Sequence, residues 1–74
     1  MLQDDAMKIA GARLRELRER KGLSQEDASF EAGVEQSTLS KIERLGPHIA
    51  SWGKIFKLAA ALDCVVEVTF SPKK

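Results

Sequence analysis

The sequence is poor in the residues that build reactive centres. Its 74 residues include no tyrosine, one cysteine, one histidine and one tryptophan. A lone cysteine, Cys64, excludes an internal disulfide framework and suits a reducing compartment. A lone histidine, His48, has no ligand company of the kind a metal site needs, so no metal is expected. No nucleophile–base pair or carboxylate dyad can be assembled, and a chain this short does not enclose both a substrate and a catalytic set. An enzyme is therefore not expected, nor a cofactor. No apolar run approaches the ~20 residues that span a bilayer. The opening MLQDDAMK is acidic and lacks an apolar signal core, which gives the cytoplasm as the expected location, with no membrane partner. Internal repeats and low-complexity stretches are absent as well.

A large basic excess is also missing, since the net charge is only +1. The distribution of charge says more than the total. Arg13, Arg15, Arg18, Arg20 and Lys21 face only Glu16 and Glu19 in the stretch 13–21. Residues 26–35 carry acids alone, and residues 41–74 are again mostly basic. A local basic footprint is compatible with this near-neutral total.

The chain reads as one domain, residues 1–74, built from four helices. After a frayed segment at 1–6, a first helix is predicted over about residues 7–21, with Ile9, Ala10, Leu14 and Leu17 at helical spacing. Basic residues fill its last turn, and Gly22 takes the C′ position. Ser24 is an N-cap for a second helix running to about Ala32, with Asp27 completing an approximate capping box. Gly33 provides the turn, and Ser29 is small where the two neighbouring helices must approach. A third helix runs from Glu35 to about Arg44. A Gly46-Pro47 turn follows, and Ser51 caps a fourth helix whose buried stripe is expected to be Trp52, Ile55, Phe56, Ala59 and Leu62.

The stretch 25–44, QEDASFEAGVEQSTLSKIER, organises the rest. Small or apolar residues stand at Ala28, Ala32, Val34, Leu39 and Ile42, around the Gly33-Val34 turn. The second half carries an outer polar face of Gln36, Ser37, Ser40 and Lys41. This is the pattern of a helix-turn-helix, in which one helix crosses the DNA backbone and the next lies in the major groove. Double-stranded DNA is the expected partner.

Residues 64–70, CVVEVTF, are rich in β-formers, with Val66, Val68 and Phe70 on one face. A single strand leaves its backbone groups unpaired. Two solutions are open. The same strand of a second copy pairs across a two-fold axis, making Val66, Val68 and Phe70 the dimerisation residues. Otherwise the segment lies as an extended tail on the first and fourth helices. Cys64 is expected to be a small buried hydrophobe.

At Arg18, Gly22 to Gln25, Gly33-Val34 and Leu39 to Arg44, the spacing R-x3-G-L-S-Q-x7-G-V-x4-L-S-K-I-E-R resembles the lambda repressor and Cro family, also called xenobiotic-response-element-type regulators. Leu58 to Leu62 resembles the family's fourth helix, and the resemblance covers residues 8–63. It implies an all-α, lambda-repressor-like four-helix domain, here followed by a single C-terminal β-strand pairing across a dimer. There are departures. Ala28-Ser29 stands where Leu-Ala is usual, Phe30 where a polar residue is usual, and Lys54 in place of a common Thr. The CVVEVTF strand replaces the usual fifth helix and is similar to the tail of HipB-type antitoxins.

For the site, Gln36 has an amide suited to adenine N6 and N7. Ser37, Ser40 and Lys41 are the other residues facing base edges, Lys41 toward guanine or a phosphate. Thr38, by its hydroxyl, and Arg44, by its forked guanidinium, suit phosphates. The resemblance implies that Gln25 contacts a phosphate and braces Gln36. It also implies that Arg18 and Glu43 form a partly buried salt bridge fixing the first helix to the end of the third. Trp52 and Phe56 are expected in the core. Phe30 is either a contact for a partner protein or folded back over the first helix. The function expected is a homodimeric, sequence-specific repressor on a pseudo-palindromic operator. The alternatives are an antitoxin that also binds a toxin protein, or a restriction-modification controller.

Overall fold

The computed structural model describes residues 3–68 and 70–72. It consists of α1 (Gln3–Arg20), α2 (Gln25–Ala32), α3 (Gln36–Leu45), a 3-10 turn (Pro47–Ile49) and α4 (Trp52–Ala61). α1 packs on α3, while α2 packs on both α3 and α4. α1 starts four residues earlier than expected, at Gln3. Asp5 in its first turn suits the positive end of the helix dipole. The backbone of Met7 lies against Gly46, so that turn is held by the α3 exit.

Each short helix has a local reason to start and stop. Ser24 Oγ accepts the Asp27 N–H at 3.0 Å, and Ser51 Oγ accepts the Lys54 N–H at 3.3 Å. α1, α2 and α4 end in the same hydrogen-bond pattern. Gly22 and Leu23 donate back to Glu19 and Arg18, Gly33 and Val34 to Phe30 and Ser29, and Asp63 and Cys64 to Ala60 and Ala59. These are Schellman motifs, which require a left-handed residue at C′. Glycine fills that place in α2, with Gly33 at φ 69°; after α4 it is Asp63, at φ 53°.

The core is Leu39, Ile42 and Leu58, fully enclosed, with Ala28, Val34, Ile55, Ala59 and Leu62 around them. Leu14 and Leu23 seal it from α1 and the following turn. Ser29 is buried where α2 runs close to its neighbours, and its hydroxyl donates to the Glu26 carbonyl at 3.0 Å.

Three expectations about packing are corrected. Ile9, Trp52 and Phe56 are exposed, at 56%, 58% and 52%. Trp52 and Phe56 instead stack on each other at the surface, centroids 6.1 Å apart. The buried face of α4 includes Leu58. Adding it to Ile55, Ala59 and Leu62 turns the centre of the stripe by roughly 50°, at 100° per residue, away from Phe56.

The tail is the other departure. Among the described residues no β-strand forms, so the expected strand over 64–70 is not seen; Thr69 lies outside the described residues. The segment instead runs extended. Cys64 and Val66 pack on the core, beside a groove lined by Leu14 and Leu17 of α1 and Ile55 and Ala59 of α4. A strand forms only when a neighbour takes up its ladder, whereas burial of alternate side chains suffices for a tail. Val65 and Phe70 are exposed, and Val68 is half-exposed. Burial, with Asp63 adding to it, raises the Cys64 thiol pKa above its ordinary value. No described helix is long and apolar enough to cross a membrane.

Candidate nucleic-acid interface

α3 is anchored before it is exposed. Its inner face is Leu39, Ile42 and Glu43. Glu43 is a carboxylate in an apolar setting, and burying such a charge is costly unless it is fully partnered. Arg18 supplies the partner in a forked geometry, with Nε 2.6 Å from Oε2 and Nη2 3.0 Å from Oε1. Its remaining nitrogen, Nη1, donates to the Leu23 carbonyl at 2.8 Å. Gln25 Nε2 adds a third donor to Glu43, 3.0 Å from Oε1. The hydrogen bond to Glu43 raises the Arg18 pKa further above its already high ordinary value, against the opposing effect of burial. No buried side-chain nitrogen or oxygen among the described residues is left without a partner. The network ties α1, α2 and α3 at one point.

Gln25 therefore braces Glu43, where the expectation was Gln36. The reason is electrostatic: a buried carboxylate is a stronger acceptor than an exposed amide.

A second anchor was not foreseen from sequence. Gly11 is buried at the α1–α3 crossing. A Cβ there would run into the Ile42 carbonyl oxygen and lie 3.0 Å from that of Glu43. Only glycine lets the two backbones approach this closely. A glycine inside an otherwise good helical pattern was the available signal.

The outer face of α3 follows from its repeat. At 100° per residue, Gln36, Ser37, Ser40, Lys41 and Arg44 fall within an arc of about 140°. Gln36, Ser37, Lys41 and Arg44 are exposed, and Ser40 is half-buried. Thr38 falls outside that arc, half-buried on the Ile42 side of the helix. The structure also brings Gln25, Ser40, Glu43 and Arg44 together with Arg15 of α1. They line an open cleft of about 200 Å³. Arg15 had been counted only as part of a basic stretch. Phe30 is 86% exposed on α2, which excludes the alternative that it folds over α1. Among the described residues no group of His, Cys, Asp or Glu is placed to hold a metal ion.

Two short helices joined at the Gly33 turn, the second presenting a polar face, form the arrangement of a helix-turn-helix. The helix-turn-helix domain family model matches residues 9–69, most of the chain, and the protein belongs to that family. More particularly, the chain is similar to the restriction-modification controller protein C.AhdI from Aeromonas hydrophila. The two are 43% identical with a TM-score of 0.75, over 82% of this chain and 91% of that one. The protein is thus a DNA-binding regulator of the lambda repressor and Cro type. No curated protein sequence matches it.

Proposed function

We propose that the protein is a homodimeric transcriptional regulator that occupies a pseudo-palindromic operator and controls a restriction-modification system. The observation that carries the DNA-reading part is the polar stripe of α3, standing on a frame locked by Arg18, Gln25 and Glu43. Gln36, Ser37, Ser40 and Lys41 read base edges, Gln36 as the amide that pairs with adenine. Gln25, Thr38 and Arg44 hold phosphates, and Arg18 with Glu43 positions the reader without touching DNA. Similarity to C.AhdI favours the controller role over a repressor of unrelated genes.

Four side chains near base edges carry too little information to select one genomic site. A second copy doubles the readout at a fixed spacing of about one helical turn. Val66, Val68 and Phe70 are the residues assigned to that pairing; Phe70 is 93% exposed and Val68 45% exposed, so both are open to a partner, while Val66 packs on its own core and has to leave it to take part.

One observation keeps the antitoxin reading in play. Phe30 is a bare aromatic on α2, away from the α3 stripe, where a toxin protein would have something to grip.

The test is a gel shift on the gene's own promoter region, with wild type and Gln36→Ala. Specific retardation lost in the variant is expected; no specific site at moderate salt, with the variant unchanged, overturns the proposal. The neighbouring reading frames separate the roles: methyltransferase and nuclease for a controller, a kinase-like protein for an antitoxin.

A further inference from the structure

We propose that the cleft between α1 and α3, walled by Arg15 and Arg44, seats a phosphodiester of the DNA backbone. α1 then becomes a third DNA-contacting element beside α2 and α3. The inference rests on the DNA-binding reading above and adds a contact to it.

Position is the first support. Arg44 lies eight residues beyond Gln36, about 12 Å along α3 at 1.5 Å per residue. The major groove is about 12 Å wide. With the start of α3 at the base edges, the Arg44 end stands at the groove's wall, where the backbone runs. The cleft opens there, bordered by Ser40 on the base side and lined by the Gln25 amide, whose N–H donates well to a phosphate oxygen.

Charge is the second. The one acid in the cleft, Glu43, is compensated by the bidentate Arg18 and by Gln25. The neighbouring basic side chains from Arg13 to Lys21 are closely engaged. Arg13 and Arg20 share Glu16, at 2.6 and 2.9 Å, and Lys21 holds Asp63 at 2.8 Å. Among these Arg15 is the most loosely held, with Nε 3.6 Å from Glu19 and both side chains more than half exposed. Such a pair is worth little in water, so a phosphate displaces Glu19 at small cost. Arg44 has no ion pair among the described residues. Two available guanidiniums on different helices thus flank one opening.

The experiment measures affinity for a non-specific duplex and for the promoter duplex against salt, by fluorescence anisotropy. Arg15→Gln is expected to lower the slope of log affinity on log salt by about 0.9 per protomer, equally on both DNAs. Arg15→Lys keeps the charge and is expected to keep the slope, with circular dichroism verifying the fold of each variant. Arg13→Gln serves as the control and is expected to change the slope much less. Glu19→Gln, which releases Arg15, is expected to tighten binding more than Glu16→Gln, which removes the same charge one turn earlier. Equal slopes for Arg15→Gln and Arg13→Gln overturn the inference while leaving the DNA-binding proposal standing. Wild type that binds no DNA at low salt overturns both. Replacing chloride by inorganic phosphate at constant ionic strength addresses a free anion. Selective displacement of DNA by phosphate from wild type but not from Arg15→Gln is expected, because both compete for the cleft. Phosphate binding that needs Arg15, with a DNA salt slope that does not, assigns the cleft to free phosphate and overturns the DNA assignment.

Discussion

The two halves of the molecule are held together by different physics. On the α1–α3 side the contacts are directional: a forked ion pair, an amide brace, and two backbones in touch at Gly11. On the α4 side they are mostly apolar, and large hydrophobic groups stay in water, with Trp52, Phe56, Val65 and Phe70 all more than half exposed. Directional contacts fix an orientation to a fraction of an ångström, whereas apolar burial fixes only area. The half that has to present α3 at a set angle uses the first kind. The other half keeps unspent surface.

That contrast can be broken by mutation. Arg18→Ala, which strands Glu43 in the core, is expected to cost about 3–5 kcal/mol in urea unfolding. Leu58→Ala, on the apolar side, is expected to cost about 2–5 kcal/mol through lost burial and a cavity. The two variants should part in binding: at temperatures where both remain folded, the α3 anchor is loosened only by the first. Gly11→Ala is expected to cost about 1–3 kcal/mol by forcing α1 from α3, with a larger loss of DNA affinity than Leu58→Ala at matched stability. Arg18→Ala or Gly11→Ala losing stability but keeping full affinity would contradict the division.

The smallest effects sharpen the picture. Ser24→Ala removes the N-cap of α2 and is expected to cost about 1 kcal/mol. Alkaline titration is expected to weaken the fold gradually. The hydrogen bond to Asp63 raises the Lys21 pKa, and burial raises that of Cys64. A group whose folded pKa lies above its unfolded value contributes stability below the unfolded value and loses it as pH rises through the folded one. The ordinary values are 9.0 for Cys64 and 10.5 for Lys21, so the decline begins near pH 9. Cys64→Ala should delay its onset, as followed by thermal melts between neutral pH and pH 10.5.

What was legible in the sequence divides along the same line. Ser24, Gly33 and Ser51 act within one turn of where they stand, and caps of that kind are written locally. The stripe from Gln36 to Lys41 follows from a repeat of one helix. Arg15 and the Gln25–Glu43 bond involve partners on other helices, so no local pattern reveals them, and at Gly11 the local pattern marks an oddity without naming the α3 backbone it meets. The exposure of Trp52 and Phe56 was missed for a related reason. Hydrophobicity marks what prefers to be covered, and only the packed structure decides what is covered by this chain. Over residues 64–70, β-propensity described a segment ready to pair and said nothing of whether a neighbour was at hand.

Beside the shared core, a polar contact joins the two halves, Lys21 to Asp63. Lys21 Nζ reaches both the Asp63 carboxylate and the Ala61 carbonyl, at 2.8 and 2.7 Å. It therefore moors the last turn of α4 to the last turn of α1, at the point where the tail departs. A glycine in place of Asp63 would suit the left-handed backbone better but would have no carboxylate to offer. The mooring makes the molecule a short lever: a pull on the tail is delivered first to the end of α1, one turn from Arg18, and salt slackens the line.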